Sequence, residues 1–300
     1  MSVSDAGAPG EILPSGVIPA RSKTVTHWGG PRLGLTFWLC VVWVVVLATT
    51  AIAAGWLPLQ DPLETDFLHR RVAPNGDFWL GTDQLGRDTL SRIIFGARIS
   101  LSIALAASLL SAFFGVIFGL PAGYFRGRLE AGVVGATDIV LAFPAIILVL
   151  LVAAYAGASL TNLVLVLGFL GIPGYTRIAR ATTLNFAQRD FVTAARAVGA
   201  SHLRIMVREL LPNLVPPISA IVVLSMSRII VIEGTLSFLG LSIPPPAPTW
   251  GNMIAAGVSE LAFHPNISFV PAGVMFITIL ALNVIGDGLR RASDPRDTAL

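Results

Sequence analysis

Lysine is almost missing from this 300-residue chain: Lys23 is the single one, and every other permanent cation is an arginine. A phosphate-cradling loop of the form G-x-x-x-x-G-K-[ST] needs a lysine directly behind a glycine. Lys23 follows Ser22. The chain therefore lacks that nucleotide site, and any ATP that drives it is hydrolysed elsewhere. Cysteine is as scarce, since Cys40 stands alone. That excludes an internal disulfide and a cysteine metal cluster, and leaves the redox compartment unread. The four histidines show no H-E-x-x-H spacing, which removes a metalloprotease site. Charge of either sign is thin at 12%, against 54% hydrophobic residues and a mean hydropathy of +0.78. Such a composition excludes an ordinary soluble domain and places the chain in a bilayer. The six tryptophans fall mainly near the ends of apolar runs or in a connecting loop, where amphipathic rings meet headgroups.

Crossing the hydrocarbon takes about 20 apolar residues. Six runs qualify: Leu35 to Ala54, Ile99 to Leu120, Val134 to Tyr155, Leu160 to Ile178, Val215 to Leu236 and Phe269 to Ile285. Pro173-Gly174 interrupts the fourth, which is tolerable for a kinked helix packed among neighbours. Arginine placement orients the chain. With the N-terminus inside, Arg21, Lys23, Arg32, Arg126, Arg128, Arg177, Arg180, Arg189, Arg196, Arg204, Arg208, Arg290, Arg291 and Arg296 collect on the inner side. Outside remain Arg70, Arg71, Arg87, Arg92 and Arg98, offset by Asp61, Glu64, Asp66, Asp77, Asp83 and Asp88. Both termini are thus expected in the cytoplasm. Ala51-Ile52-Ala53 imitates a signal-peptidase site, but a long polar stretch precedes it and the apolar core is full-length, so an uncleaved anchor is expected.

Between two apolar runs lies the segment from Phe191 to Asn213, rich in arginine, interrupted at Gly199 and expected to stop at Pro212. Phe191 to Val198 reads as a short helix, Gly199 as its left-handed cap, and Ser201 as the cap of the next helix. Ala194 and Ala195 leave little bulk, while Leu203, Met206 and Val207 offer an apolar face at helical spacing. The plainer reading is a solvated basic hairpin on anionic lipid, worth about 1 kcal/mol per arginine.

Four passages together resemble the second permease subunit of the dipeptide, oligopeptide and nickel ABC importers. They are Leu80-Gly-Thr-Asp-Gln-Leu-Gly-Arg-Asp88 with Gly96 to Leu101; the Ala-Ala-Arg-Ala-Val-Gly stretch ending at Gly199; Leu236-Ser-Phe-Leu-Gly240 with Trp250-Gly251; and Asn283 to Arg290 with Asp294-Pro-Arg296. The match covers nearly everything after about Leu57. Thr193 stands where the family usually has glutamate, and Glu209 where an apolar residue or histidine is commoner.

The resemblance implies an all-α polytopic membrane protein of the type I ABC importer permease fold. It divides into a tail over 1-34, a first helix and long external loop over 35-98, a transport core over 99-290 with a cytoplasmic loop at 181-213, and a tail over 291-300. It implies a heterodimer with a homologous permease, two ATP-binding subunits or one fused ATPase, and an external substrate-binding protein. Lipid surrounds it, and no nucleic acid is expected. ATP and magnesium then belong to the ATPases, and this chain takes no cofactor. Ala194, Ala195, Arg196, Gly199, Ala200, Leu203, Leu211 and Pro212 become the ATPase-coupling residues. Short peptides are expected rather than nickel, because peptide members are numerous and no histidine or cysteine cluster lines the spans.

Asp138, Arg228, Glu233 and Asp287 lie in or beside the spans, where an unpaired charge is costly and usually turned inward. Asp138 and Asp287 are expected to pair at the interface with Arg128 or Arg290. Arg228 and Glu233, five residues apart, sit about 140° apart on a helix, so neither is simply the other's partner. Both are candidates for a translocation path, with Arg228 offered to a passing carboxylate. Asp138 and Asp287 do not make an aspartyl protease, because Val284-Ile285-Gly286 precedes the second. A self-sufficient proton-coupled carrier is the competing class, though no internal repeat supports it. The external Gly81-Thr82-Asp83 and Gly86-Arg87-Asp88 read equally as turn punctuation, with Asp88 capping a helix, or as part of an outer gate or a seat for the binding protein.

Overall fold

Asp88 starts the helix around which the others pack. Its carboxylate accepts from the Ser91 amide at 2.8 Å, satisfying one of the unpaired donors of a helix N-terminus. The helix, α2, then runs 37 residues over Thr89–Phe125, about 55 Å at 1.5 Å per residue. It is therefore longer than a bilayer is thick. The computed structural model describes residues 34–293. Nearly all of the 1-34 tail and the segment from Asp294 onward, with Arg296, lie outside the described residues.

The remaining elements are α1 Leu35–Ala53, α3 Gly127–Ala142, α4 Ala145–Ala156, α5 Leu160–Phe186, α6 Asp190–Ala197, α7 His202–Phe238, α8 Trp250–Gly257 and α9 Asn266–Ala292. No strand forms among the described residues beyond a bridge between Thr82 and Asp88. The most extensive helix pairing is α2 with α5. Gly115, Gly119 and Gly123 recur every fourth residue along α2, and a Cβ on Gly119 would sit 2.5 Å from the Thr176 carbonyl and 2.7 Å from the Ala179 Cβ. Lipid tails are as apolar as leucine, so close backbone approach through small residues holds such a pair together. The Ser111 hydroxyl adds a bond across it, to the Gly168 carbonyl at 2.7 Å.

Two buried cores divide the bundle lengthwise. One joins Leu47 of α1, Ala104 of α2, Leu167 of α5, Ile230 of α7, Trp250 of α8 and Leu282 of α9. The other joins Leu120 and Tyr124 of α2 and Ala179 of α5 to Val192, Ile205 and Leu210. The outward faces are apolar as well, with Trp38, Val42, Ile139, Ile147 and Phe276 exposed, as suits a lipid-facing surface.

Several sequence expectations change here. The third run is two helices bent by 73°. Pro144 follows Phe143, which is held extended at φ −84, ψ 129, because a proline pushes the residue before it out of the helical region. Pro173, by contrast, is buried inside an unbroken α5. Nor does Pro212 stop a helix: α7 runs from His202 through Pro212, Pro216 and Pro217 to Phe238. The chain widens to a π-helical turn over Ile205–Leu210, so that the Leu211 amide reaches back to Met206. The Asn213 side chain covers the Glu209 carbonyl at 2.6 Å. Asp138 pairs with Arg177 at 2.6 Å rather than with Arg128 or Arg290. The reason is that α3 folds back along α5, where Glu130 likewise pairs with Arg180. Asp287 is exposed and makes no ion pair among the described residues, since Gly286 and Gly288 face the bundle instead.

Candidate functional site

Three constructions stand out: a clasp over residues 54–88, a chamber between helices, and an elbow at the far end of α2. In the clasp, Asp83 accepts from the amides of Leu85 and Arg87 at 2.8 and 3.1 Å and from the Arg87 guanidinium at 2.7 Å. Arg92 lies 3.5 Å from the same carboxylate and donates to the Pro62 carbonyl at 2.9 Å. Asp83, Arg87 and Asp88 of the Gly-Thr-Asp-Gln-Leu-Gly-Arg-Asp passage thus bond within the clasp and its helix cap, whereas the Gln84 amide reaches out to the Ala256 carbonyl at 3.3 Å. Asp66 caps a short turn through the Leu68 amide, and its bond to His69 holds its carboxyl below the ordinary value. Arg71 ties the clasp to Glu260 at 2.7 Å. Beneath it Trp250, fully buried, donates from its indole to the Ile93 carbonyl at 3.2 Å. Gly251 lets α8 approach the Gly234 backbone of α7.

The chamber, about 560 Å³, opens among α4, α5 and α7 with one edge at Ser111 of α2. Its walls are mainly aliphatic, and Tyr175, Ser225 and Arg228 make its polar pole. The Tyr175 hydroxyl donates to Ser225 Oγ at 2.9 Å, and Arg228 Nη2 donates to the same oxygen at 3.1 Å. Glu233 does not line this space. It is buried under the loop after α7, where its Oε1 accepts from Ser237 at 3.0 Å and Ser242 at 2.7 Å. Tyr175 and Ser225 carry no motif, and 50 residues separate them, so of this pole the sequence signals Arg228 alone.

At the elbow, α6 ends in a Schellman turn. The Gly199 amide bonds to the Arg196 carbonyl and the Ala200 amide to the Ala195 carbonyl, both at 3.0 Å, while Gly199 has φ +84. Ser201 caps α7 through the Arg204 amide. The eight elbow residues named from sequence divide by face. Ala194, Arg196, Gly199, Leu203 and Pro212 are exposed, whereas Ala195, Ala200 and Leu211 pack inward on the second core, as does Met206. The exposed apolar surface is instead Val198, 89% exposed, with Leu203 at 68% and Val207. Arg204 and Arg208 flank it.

Tyr124, absent from the sequence reading, anchors this elbow to α2. Its hydroxyl lies 2.9 Å from His202 Nδ1, and Arg196 stacks over its ring at 5.3 Å. Replacing it by alanine removes a buried ring, a hydrogen bond and a cation–π contact. Tyr124→Ala is expected to destabilise the elbow by about 3 kcal/mol, and Tyr124→Phe by about 1 kcal/mol. Hydrogen exchange across residues 190–210 measures both, and unchanged protection in Tyr124→Ala would contradict the anchoring.

A bundle of apolar helices around a chamber, clasped at one end and presenting a basic elbow at the other, defines a membrane transport subunit. The chain belongs to the family described as binding-protein-dependent transport system inner membrane component, whose model matches residues 115–297. It is 35% identical over 283 residues to the glutathione transport system permease protein GsiD of Escherichia coli O6:K15:H31, covering 93% of each chain. It is 36% identical over 296 residues to the di/tripeptide transport system permease protein DppC of Pseudomonas aeruginosa, covering 94% of this chain and 95% of that relative. Its fold resembles a chain of the inward-facing MetNI methionine ABC transporter, with a TM-score of 0.50 at 20% identity over 64% of this chain and 93% of that one. The protein is accordingly a multi-pass membrane permease subunit rather than an enzyme.

Proposed function

We propose that this chain forms one half of the pathway for short peptides in an ATP-driven importer, with both termini in the cytoplasm. The other half belongs to a homologous permease, the clasp faces an external binding protein, and the elbow docks on cytoplasmic ATPase subunits or one fused ATPase. ATP and magnesium are held by those partners. The observation that carries the reading is the elbow surface of Val198, Leu203 and Val207: leucine and valine left in the open beside arginines fit a protein groove better than water. Glutathione and di/tripeptide relatives favour peptides over nickel. A self-sufficient carrier has no use for such a surface.

The intact complex, carrying Cys40→Ala and Leu203→Cys in this chain, is to be treated with a short bifunctional thiol reagent. A cross-link to an ATPase subunit that changes with nucleotide is expected. Labelling of that position only by an impermeant reagent added outside the cell would reverse the orientation and sink the reading. Uptake by this chain alone in liposomes would favour the carrier.

A further inference from the structure

Among the described residues, one permanent charge faces the chamber: the lining contains Arg228 and no aspartate, glutamate, lysine or second arginine. Arg228 makes none of the ion pairs found among the described residues, and its one side-chain hydrogen bond is to Ser225. A guanidinium has five N–H donors and no acceptor, so most of its donors are left without a protein partner among the described residues. The nearest acid along the helix, Glu233, is bonded to Ser237 and Ser242 on another face. Ser225 Oγ accepts from both Tyr175 and Arg228, which uses its two lone pairs and aims its own proton elsewhere. Tyr175 and Ser225 therefore hold the guanidinium without neutralising it. Around them the wall is Val149, Leu167, Ile178, Ile229 and Ile232.

An arginine at the centre of a membrane helix costs about 2.5–3.5 kcal/mol. Tyr175 and Ser225, both buried, stiffen this one rather than compensate its charge. A planar fork of donors in a low-dielectric chamber matches a carboxylate, which takes two parallel N–H···O bonds. The aliphatic wall suits an uncharged body attached to that carboxylate.

We propose that Arg228, oriented by Ser225 and Tyr175, is a carboxylate station on the pathway, at which the free acid end of a passing substrate is received while its apolar part slides along the wall. The proposal rests on the reading of the chamber as pathway and adds a selectivity to it: the membrane subunit, and not only the external binding protein, favours substrates with a free carboxylate. Ser225→Ala and Tyr175→Phe act by loosening the guanidinium, so they are positioning changes.

The test separates the two ideas. In the intact reconstituted complex with Cys40→Ala, Ile232→Cys puts a thiol one turn from Arg228 on the chamber wall. It is to be labelled during ATP turnover with methanethiosulfonates of similar size, one a sulfonate and one a trimethylammonium. With each rate normalised to that reagent's rate with a free thiol, the sulfonate is expected to react about tenfold faster, and adding Arg228→Gln should bring the two normalised rates together. Ser225→Ala is expected to give an intermediate ratio. Equal normalised rates with Arg228 in place overturn the carboxylate station, because the charge is then neutralised by a neighbouring subunit. No reaction with either reagent removes the chamber from the pathway and so fails the underlying reading instead. Uptake of a free-acid tripeptide supplies a second measure: Arg228→Gln should lower it about tenfold, with part of the loss recovered by Arg228→Lys. Should Arg228→Gln instead dissociate the complex, the guanidinium is a structural ion-pair partner and the proposal falls.

Discussion

Gly119→Leu is expected to prevent the bundle from assembling. Gly119 stands midway along the α2–α5 crossing, and even a single Cβ there would lie 2.5 Å from the Thr176 carbonyl, 2.7 Å from the Ala179 Cβ and 3.0 Å from the Arg180 amide. Two of these are backbone atoms in the middle of helices, which cannot swing aside as a side-chain tip does. Relief requires α2 and α5 to separate. Gly123 has the same constraint one turn on, with the Arg180 carbonyl at 2.7 Å, so the helices cannot pivot about one contact. Separation would pull Ser111 from the Gly168 carbonyl and would open the second core, where Leu120 and Ala179 pack together. Overpacking of a tight core costs about 1–3 kcal/mol where side chains can adjust, and the upper end applies where only backbone can. In lipid no hydrophobic gain from burial compensates lost packing. Gly119→Ala should be measurably destabilised and Gly119→Leu should yield little monodisperse complex. Gly273→Ala, at a helical glycine with open space around it, should be harmless. Size-exclusion profiles and thermal midpoints of the purified complex decide the matter, and a parental profile for Gly119→Leu would show that α2 and α5 are not so tightly bound.

Gly199→Pro should leave the complex assembled but let it hydrolyse ATP without moving substrate. The residue sits at φ +84, whereas a proline ring fixes φ near −65°. The substitution also deletes the amide that bonds the Arg196 carbonyl. Both halves of the Schellman turn fail together, and α6 loses its set angle to α7. The site is open, with nothing within 4 Å of a Cβ, so the second core, formed by Val192, Ile205 and Leu210, has no new clash to absorb. Gly199→Ala separates these effects, since it keeps the amide and costs only about 1 kcal/mol of left-handed backbone strain. Substrate moved per ATP should fall about tenfold or more in Gly199→Pro and slightly in Gly199→Ala, if a fixed elbow transmits motion between two states. A parental ratio in Gly199→Pro would mean that the elbow is no lever. Ala195 is a poorer probe, because it faces the second core and bulk there damages packing before it disturbs docking. Ala194, on the exposed face, tests docking directly.

What was legible in the sequence was whatever a few consecutive residues decide. Asp88 caps α2 through the Ser91 amide, and Gly199 turns left-handed with Ser201 capping the next helix. Hydropathy is a sum and carries no direction, so it ran straight through the 73° bend at Pro144. Proline rules are local too, and they misjudged Pro212, where a π-helical turn over Ile205–Leu210 keeps the helix going. Of the charges, Asp138 has arginines near it at the interface that hydropathy predicts, but α3 folds onto α5 and gives it Arg177.

Composition, run length and arginine asymmetry are properties of a chain in its solvent, and by themselves they determined that this protein is a bundle of apolar helices with a basic elbow. Which alanine of that elbow is inside, where Glu233 turns, and how Tyr175 and Ser225 hold Arg228 are decided by side chains brought together from distant helices. Only the packing of α2, α5 and α7, permitted by missing Cβ atoms at Gly115, Gly119 and Gly123, sets those meetings, because the contact energies that select them do not exist until the helices touch.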